Sequence, residues 1–174
     1  MARNTLIVPE ERYDIMANTY TQLYVHIVFA VKGRTNLISK QWKEELYRYV
    51  TGIITNKNQK LMVINGMPDH IHLLLGFKPD CSLSDLIRNI KANSSKLINE
   101  KQLVPGKFEW QTGFGAFTVG QSQIDRVINY ILTQEEHHAK KTFRDEYIEF
   151  LKAYRIDYKP EYIFENIDVA PTEL

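Results

Sequence analysis

Two periods organise the apolar positions of this chain. Over residues 21–31, Leu23, Val25, Ile27, Phe29 and Val31 recur at every second position, which predicts a strand with one apolar face. Gly33-Arg34-Thr35-Asn36 ends it. Trp42, Leu46, Tyr49, Val50 and Ile53 then follow helical spacing to about Asn56, after a start signal at Ser39. Residues 60–65 predict a second strand. The short loop Gly66-Met67-Pro68-Asp69 leads into a third, so the two form a hairpin. Ser82-Leu83-Ser84-Asp85 reads as a capping box, and the helix it opens carries Leu83, Leu86, Ile87, Ile90, Leu97 and Ile98 on one side. Residues 108–119 are strand-like but interrupted by Gly113 and Gly115, which predicts a bend or a bulge. Ser122-Gln123-Ile124-Asp125 reads as a second capping box, with a helix to about His138. Tyr147, Phe150, Leu151 and Tyr154 predict a further short helix, followed by aromatic residues from Tyr158 to Phe164.

The order strand, helix, strand, strand, helix, strand is that of an α+β protein: a ferredoxin-like split βαβ with an antiparallel sheet, here with an added C-terminal helix. We divide the chain into an extension (1–18), a catalytic domain (19–140) and a helical, aromatic tail (141–174). The length of 174 residues suits one domain with extensions. No run reaches the ~18 apolar residues of a membrane span, and residues 6–9 are too short for a signal-peptide core. A single cysteine, Cys81, excludes an internal disulfide framework and a cysteine-based zinc cluster; it fits a reducing, cytoplasmic setting. The net charge of +1 argues against indiscriminate duplex binding, which needs many phosphate contacts. It leaves room for a local basic groove.

The candidate chemistry begins at Asp69-His70-Ile71-His72. Alternation places His70, His72 and Leu74 on one face, and the wholly apolar Ile71, Leu73, Leu75 and Phe77 on the other. Two imidazoles at adjacent same-side positions can share one metal ion. On the helix after Ile124, residues Ile124, Val127, Ile128, Ile131 and Leu132 form a continuous apolar arc. Tyr130 lies about 160–180° from its centre, on the side of Gln123, Gln134 and His137. A phenol off the core face, beside a metal-binding pair, suggests phosphoryl transfer. The phenol is a weak nucleophile, since reaching the phenolate at pH 7 costs roughly 4 kcal/mol, and a metal on the phosphate can offset this.

At these residues the chain resembles the single-tyrosine transposases of the HUH nuclease superfamily, the insertion-sequence-200 group. Pro68-Asp69-His70-Ile71-His72-Leu73-Leu74 and Asn129-Tyr130-Ile131-Leu132-Thr133-Gln134 carry the likeness. Tyr24-Val25-His26-Ile27-Val28-Phe29 with Arg34, and Trp110-Gln111-Thr112-Gly113-Phe114-Gly115-Ala116-Phe117, add to it. It covers about residues 20–138. The resemblance implies that Tyr130 attacks a single-stranded DNA phosphodiester, leaving a 5′-phosphotyrosine and a free 3′-OH. It implies that His70, His72 and Gln134 bind Mg²⁺ or Mn²⁺, that the partner is single-stranded or hairpin DNA, and that two subunits share composite sites. On that model the tyrosine helix faces the histidines of the partner.

For phosphate contacts we single out Arg88, Lys91 and Lys96, then Lys32 and Arg34; the competing reading is a solvated helix face. Asp69 is read as shaping the turn, His26 as a structural histidine, and His137-His138 as serving the helix dipole. One alternative is a catalytically silent or host-adopted DNA-binding relative, although His70, His72, Tyr130 and Gln134 are all present. Another is a metal-dependent hydrolase, which leaves Tyr130 unexplained and lacks an acidic third ligand other than Asp69.

Overall fold

The computed structural model describes residues 20–138, 141–160 and 163; the extension at 1–18 lies outside them. Four strands form one antiparallel sheet in the order β2-β3-β1-β4: β1 (Leu23–Ala30), β2 (Lys60–Met67), β3 (His70–Phe77) and β4 (Gly115–Thr118). With α1 (Lys43–Asn56) between β1 and β2, and α2 (Leu83–Glu100) between β3 and β4, this is the split βαβ arrangement.

One sheet face carries Ile27, Phe29, Ile71, Leu73 and Leu75, all buried. These pack against Leu46, Val50 and Ile54 of α1 and Leu86, Ile90 and Ile98 of α2, so period two on the strands meets period 3.6 on the helices. The Ser82 hydroxyl accepts from the Asp85 backbone N–H at 3.4 Å and starts α2 as its sequence predicts. The second face carries His26, Val28, Ala30, His70, His72 and Leu74. Helices α3 (Ile124–Leu132) and α5 (Phe143–Ala153) cover it. Ile124 and Ile131 pack on Leu74, while Phe143 and Leu151 pack with Val28, Ala30 and Phe117.

The β2–β3 hairpin pairs Met67 with His70 and Gly66 with Ile71. A Cβ on Gly66 would stand 2.2 Å from the His70 carbonyl oxygen, so only glycine allows the approach that sets the histidine strand in register.

Residues 108–119 do not form one strand. Val31 bridges Trp110 and Val28 pairs with Gly115, so residues 111–114 bulge out, with Gly113 at φ 85°. The second capping box does not form: no side chain caps α3, and Gln123 instead accepts from the Gly120 backbone N–H at 3.4 Å. Nor does that helix run unbroken to His138. It stops at Leu132, and α4 (Gln134–His138) begins after Thr133. Asn65 Nδ2 donates to the Ile131 and Leu132 carbonyls at 2.9 and 3.0 Å, a side-chain cap supplied from β2.

Candidate active site

The face predicted to hold two histidines holds a cluster. His70 and His72 are fully buried on β3, with ring centroids 5.0 Å apart. His138 from α4 and Glu146 from α5 join them. One ligand-type atom from each of the four lies within 4.8 Å of every other. Each β3 imidazole has its Nδ1 engaged: His70 by Asp69 Oδ1 at 2.7 Å, His72 by His26 Nε2 at 3.0 Å. Such contacts fix the ring and its tautomer and turn Nε2 inward. Asp69 therefore does more than shape the turn, and His26 orients a site residue. Phe143 stacks on the His70 ring at 3.9 Å and closes that side.

Tyr130 sits over this cluster. Its ring meets His72 edge-on at 5.9 Å and His26 at 6.0 Å, and its hydroxyl donates to Glu146 Oε1. Two expectations change. The arc of α3 that faces the sheet is rotated from the one read off hydrophobicity: Leu132 is 58% exposed, whereas Tyr130 packs with Leu74 and Val119. And Tyr130 lies against the histidines of its own chain, because the Asn65 cap and the Ile124–Ile131 packing dock α3 on its own sheet. A composite of two subunits is not needed to bring these groups together.

Gln134 is fully buried. Its amide donates to the Tyr130 carbonyl at 3.3 Å, and its Oε1 is 3.1 Å from His138 Nε2. His138 is thus part of the cluster rather than a cap for the helix dipole, while His137 packs on the Tyr130 ring at 4.9 Å. A cavity of about 230 Å³ opens beside Tyr130, His138, Glu146 and Phe150, with Lys141 and Glu149 on its wall.

The basic candidates lie elsewhere. Lys91 donates to the Gln111 and Gly113 carbonyls, the latter at 2.7 Å, and its ammonium lies 5.6 Å from the Phe29 ring centroid. It pins the 111–114 bulge, and burial lowers its pKa. Arg88 pairs with Asp85 at 2.6 Å and Lys96 with Glu100 at 3.7 Å. Both belong to α2, across the sheet from the histidines. Lys32 pairs with Glu109 at 2.7 Å. The Arg34 side chain lies outside the described residues.

His138 and Glu146 are the site residues that sequence reasoning missed. For Glu146 a signal existed: it interrupts the apolar face formed by Phe143, Tyr147, Phe150 and Leu151 at helical spacing, and a carboxylate on a core face needs a partner.

Burial dominates the electrostatics. It holds the pKa of His26 down at about 4 and that of His72 well below 6.5, where His70, His26 and His138 lower it further. Burial first, then Asp69 and Glu149, pushes Glu146 up to about 8. Consider these three groups in the metal-free protein. Below 6.5 the unfolded chain protonates both histidines while burial resists their protonation in the folded chain; the proton that Glu146 holds only when folded offsets one of the two, so stability falls as pH falls. Between 6.5 and about 8 the folded chain binds one and the unfolded chain none, so stability falls as pH rises. The melting temperature in EDTA is expected to peak near pH 6.5. Melts from about pH 5 to about pH 8.5 check this, and a monotonic profile contradicts it.

Fold and site together define an α+β protein with a histidine–tyrosine centre on one face of an open antiparallel sheet. Residues 19–134 match the family described as "Transposase IS200 like", and the chain belongs to that family. It is 23% identical over 120 residues to the ISDra2 transposase TnpA of Deinococcus radiodurans, covering 66% of this chain and 86% of that protein. It is 28% identical over 127 residues to the transposase of insertion sequence element IS200 from Salmonella typhimurium, covering 70% and 82%. Its fold is similar to that of a REP-associated tyrosine transposase solved bound to a REP hairpin, with a TM-score of 0.56 and 14% identity over 86% of this chain and 95% of that one. Among the described residues no helix is long and apolar enough to cross a membrane.

Proposed function

We propose that this transposase cleaves and rejoins single-stranded DNA, with Tyr130 as nucleophile and a divalent metal ion held by His70, His72 and Gln134. The observation that carries the reading is the placement of the Tyr130 ring 5.9 Å from that of His72, in one chain, beside a cavity. The phenol oxygen attacks the phosphorus. The bond to the 3′ oxygen breaks, and the products are a 5′-phosphotyrosine and a free 3′-OH. Attack by a 3′-OH on that linkage reverses the step without a nucleotide cofactor.

The residues fit a metal. Among the described residues, buried His72 Nε2 and Glu146 Oε2 lack a hydrogen-bond partner, and burial favours the neutral form of the His72 imidazole, the form a ligand needs. Bound there, Mg²⁺ or Mn²⁺ acts as a Lewis acid toward the scissile phosphate. Asp69 and His26 keep the imidazoles aimed. Glu146 accepts the hydrogen bond of the phenol, and once a nearby cation draws off its own proton it is placed to take that of the phenol. The substrate class is single-stranded or hairpin DNA; the structural relative solved on a REP hairpin supports this. Single strands carrying the hairpins that flank its own gene, incubated with the protein and Mn²⁺, are expected to give a covalent protein–DNA band that resists denaturation. Hairpin binding with no covalent product under either metal would favour the silent DNA-binding relative.

A further inference from the structure

The metal reading draws on residues up to Gln134, where the family match ends. Beyond it the chain delivers two more potential ligands, His138 and Glu146, into the same buried space. Their distances are those of neighbours around one ion. Two ligand atoms bound at ~2.1 Å stand roughly 3.0–3.5 Å apart when adjacent and no more than about 4.3 Å when opposite. Glu146 Oε2 lies 3.4 Å from His138 Nε2 and 3.8 Å from His72 Nε2. The whole set of four lies within 4.8 Å, so it closes on one centre with side-chain movements of about 0.5–1.3 Å at its widest pair.

Hydrogen bonding points the same way. His138 Nδ1 lies 3.1 Å from the Lys141 carbonyl, an acceptor, so Nδ1 carries the hydrogen. Its Nε2 then faces Gln134 Oε1 at 3.1 Å and Glu146 Oε2 at 3.4 Å. In the metal-free protein a proton shared by His138 and Glu146 holds these atoms together, and a bound dication would take the place of that proton. His72 Nε2 and Glu146 Oε2 face the same space, buried and without hydrogen-bond partners. The cavity beside His138 and Glu146 provides a way in.

We propose that His138 and Glu146 complete the metal site, so that α4 and α5 add a third imidazole and a carboxylate to His70, His72 and Gln134. This deepens the functional reading above and rests on it. Such a nitrogen-rich set selects a transition-metal dication of the Mn²⁺-to-Co²⁺ class over Mg²⁺, which prefers oxygen ligands and retained water. Glu146 then has two tasks through its two oxygens. Oε2 would be a ligand, while Oε1 accepts the hydrogen bond of the Tyr130 hydroxyl.

The test is on the full chain, stripped of metal and titrated with MnCl₂, CoCl₂ or MgCl₂ by calorimetry, with pulsed EPR counting imidazole nitrogens on bound Mn²⁺. The expected results are one site, Mn²⁺ and Co²⁺ binding at least about 100-fold more tightly than Mg²⁺, and three imidazoles on Mn²⁺ in the unmodified protein. His138→Ala lowers the count to two. Glu146→Gln keeps it at three and weakens Mn²⁺ at least about tenfold. Two imidazoles in the unmodified protein overturn the proposal whether or not any variant folds, as does equal affinity for Mg²⁺ and Mn²⁺. Three imidazoles with no covalent DNA adduct would leave this site standing and remove the cleavage reading. Adduct formation with unchanged metal affinity in both variants would do the reverse.

Discussion

Tyr130→Phe is expected to lower covalent attachment to hairpin-bearing single strands by at least about 10⁴-fold, the scale on which an enzyme loses its nucleophile. DNA affinity should stay within about threefold, because the ring and its contacts with His72, His26 and Phe150 are kept. The lost group is the hydroxyl that donates to Glu146 Oε1. The buried carboxyl is left short of one donor, a loss of about 1–3 kcal/mol of stability that a melting curve will register. The variant also separates two chemistries. Glu146 supplies the buried acid that the sequence did not offer to a water-using hydrolase. If water were the nucleophile, strand cleavage would survive in Tyr130→Phe with no covalent species. Denaturing gels with DNA labelled on either side of the cleavage point distinguish the outcomes, and covalent adducts persisting in Tyr130→Phe would remove the tyrosine from its role.

The sheet and its two-sided covering were legible because each element carries a period. Alternation in β1 and β3 sorts Ile27, Phe29, Ile71 and Leu73 from His26, His70 and His72, and the structure sorts them the same way. Alternation alone does not say what covers a face. Helix α3 could be read as an amphipathic helix, but its rotation is set by Asn65, about 65 residues earlier, which caps its last carbonyls. That one contact ends the helix at Leu132 and redirects Gln134 and His138. It also exposes Leu132, which hydrophobicity had placed in the core. Lys91 shows the same limit. On α2 it reads as a cation free to meet phosphate, yet two bulge carbonyls and the Phe29 ring occupy it. Local pattern fixes which way a side chain leaves its own element. What it meets depends on partners distant in sequence, and for His138 and Glu146 those partners are the histidines of β3.

Those histidines carry the second large effect. Replacing both His70 and His72 by alanine is expected to abolish metal binding and to reduce cleavage by at least about 10³-fold, the equivalent of several kcal/mol of Lewis-acid stabilisation. Metal affinity, melting and hairpin binding measured on the same sample separate this from unfolding. The pH dependence supplies an internal control. In the metal-free protein His72 remains neutral when folded and takes up a proton when unfolded below pH 6.5, so it helps create the acid-side loss of stability. Without His72 that limb becomes shallower, while the limb above pH 6.5, set by Glu146, persists as long as Glu146 stays buried. A protein that had merely loosened would lose both limbs, because water would reach His26 and Glu146 together. Loss of cleavage with only the acid limb flattened therefore assigns the effect to the imidazoles. Undiminished cleavage in EDTA, by either protein, would show that Tyr130 needs no metal at all.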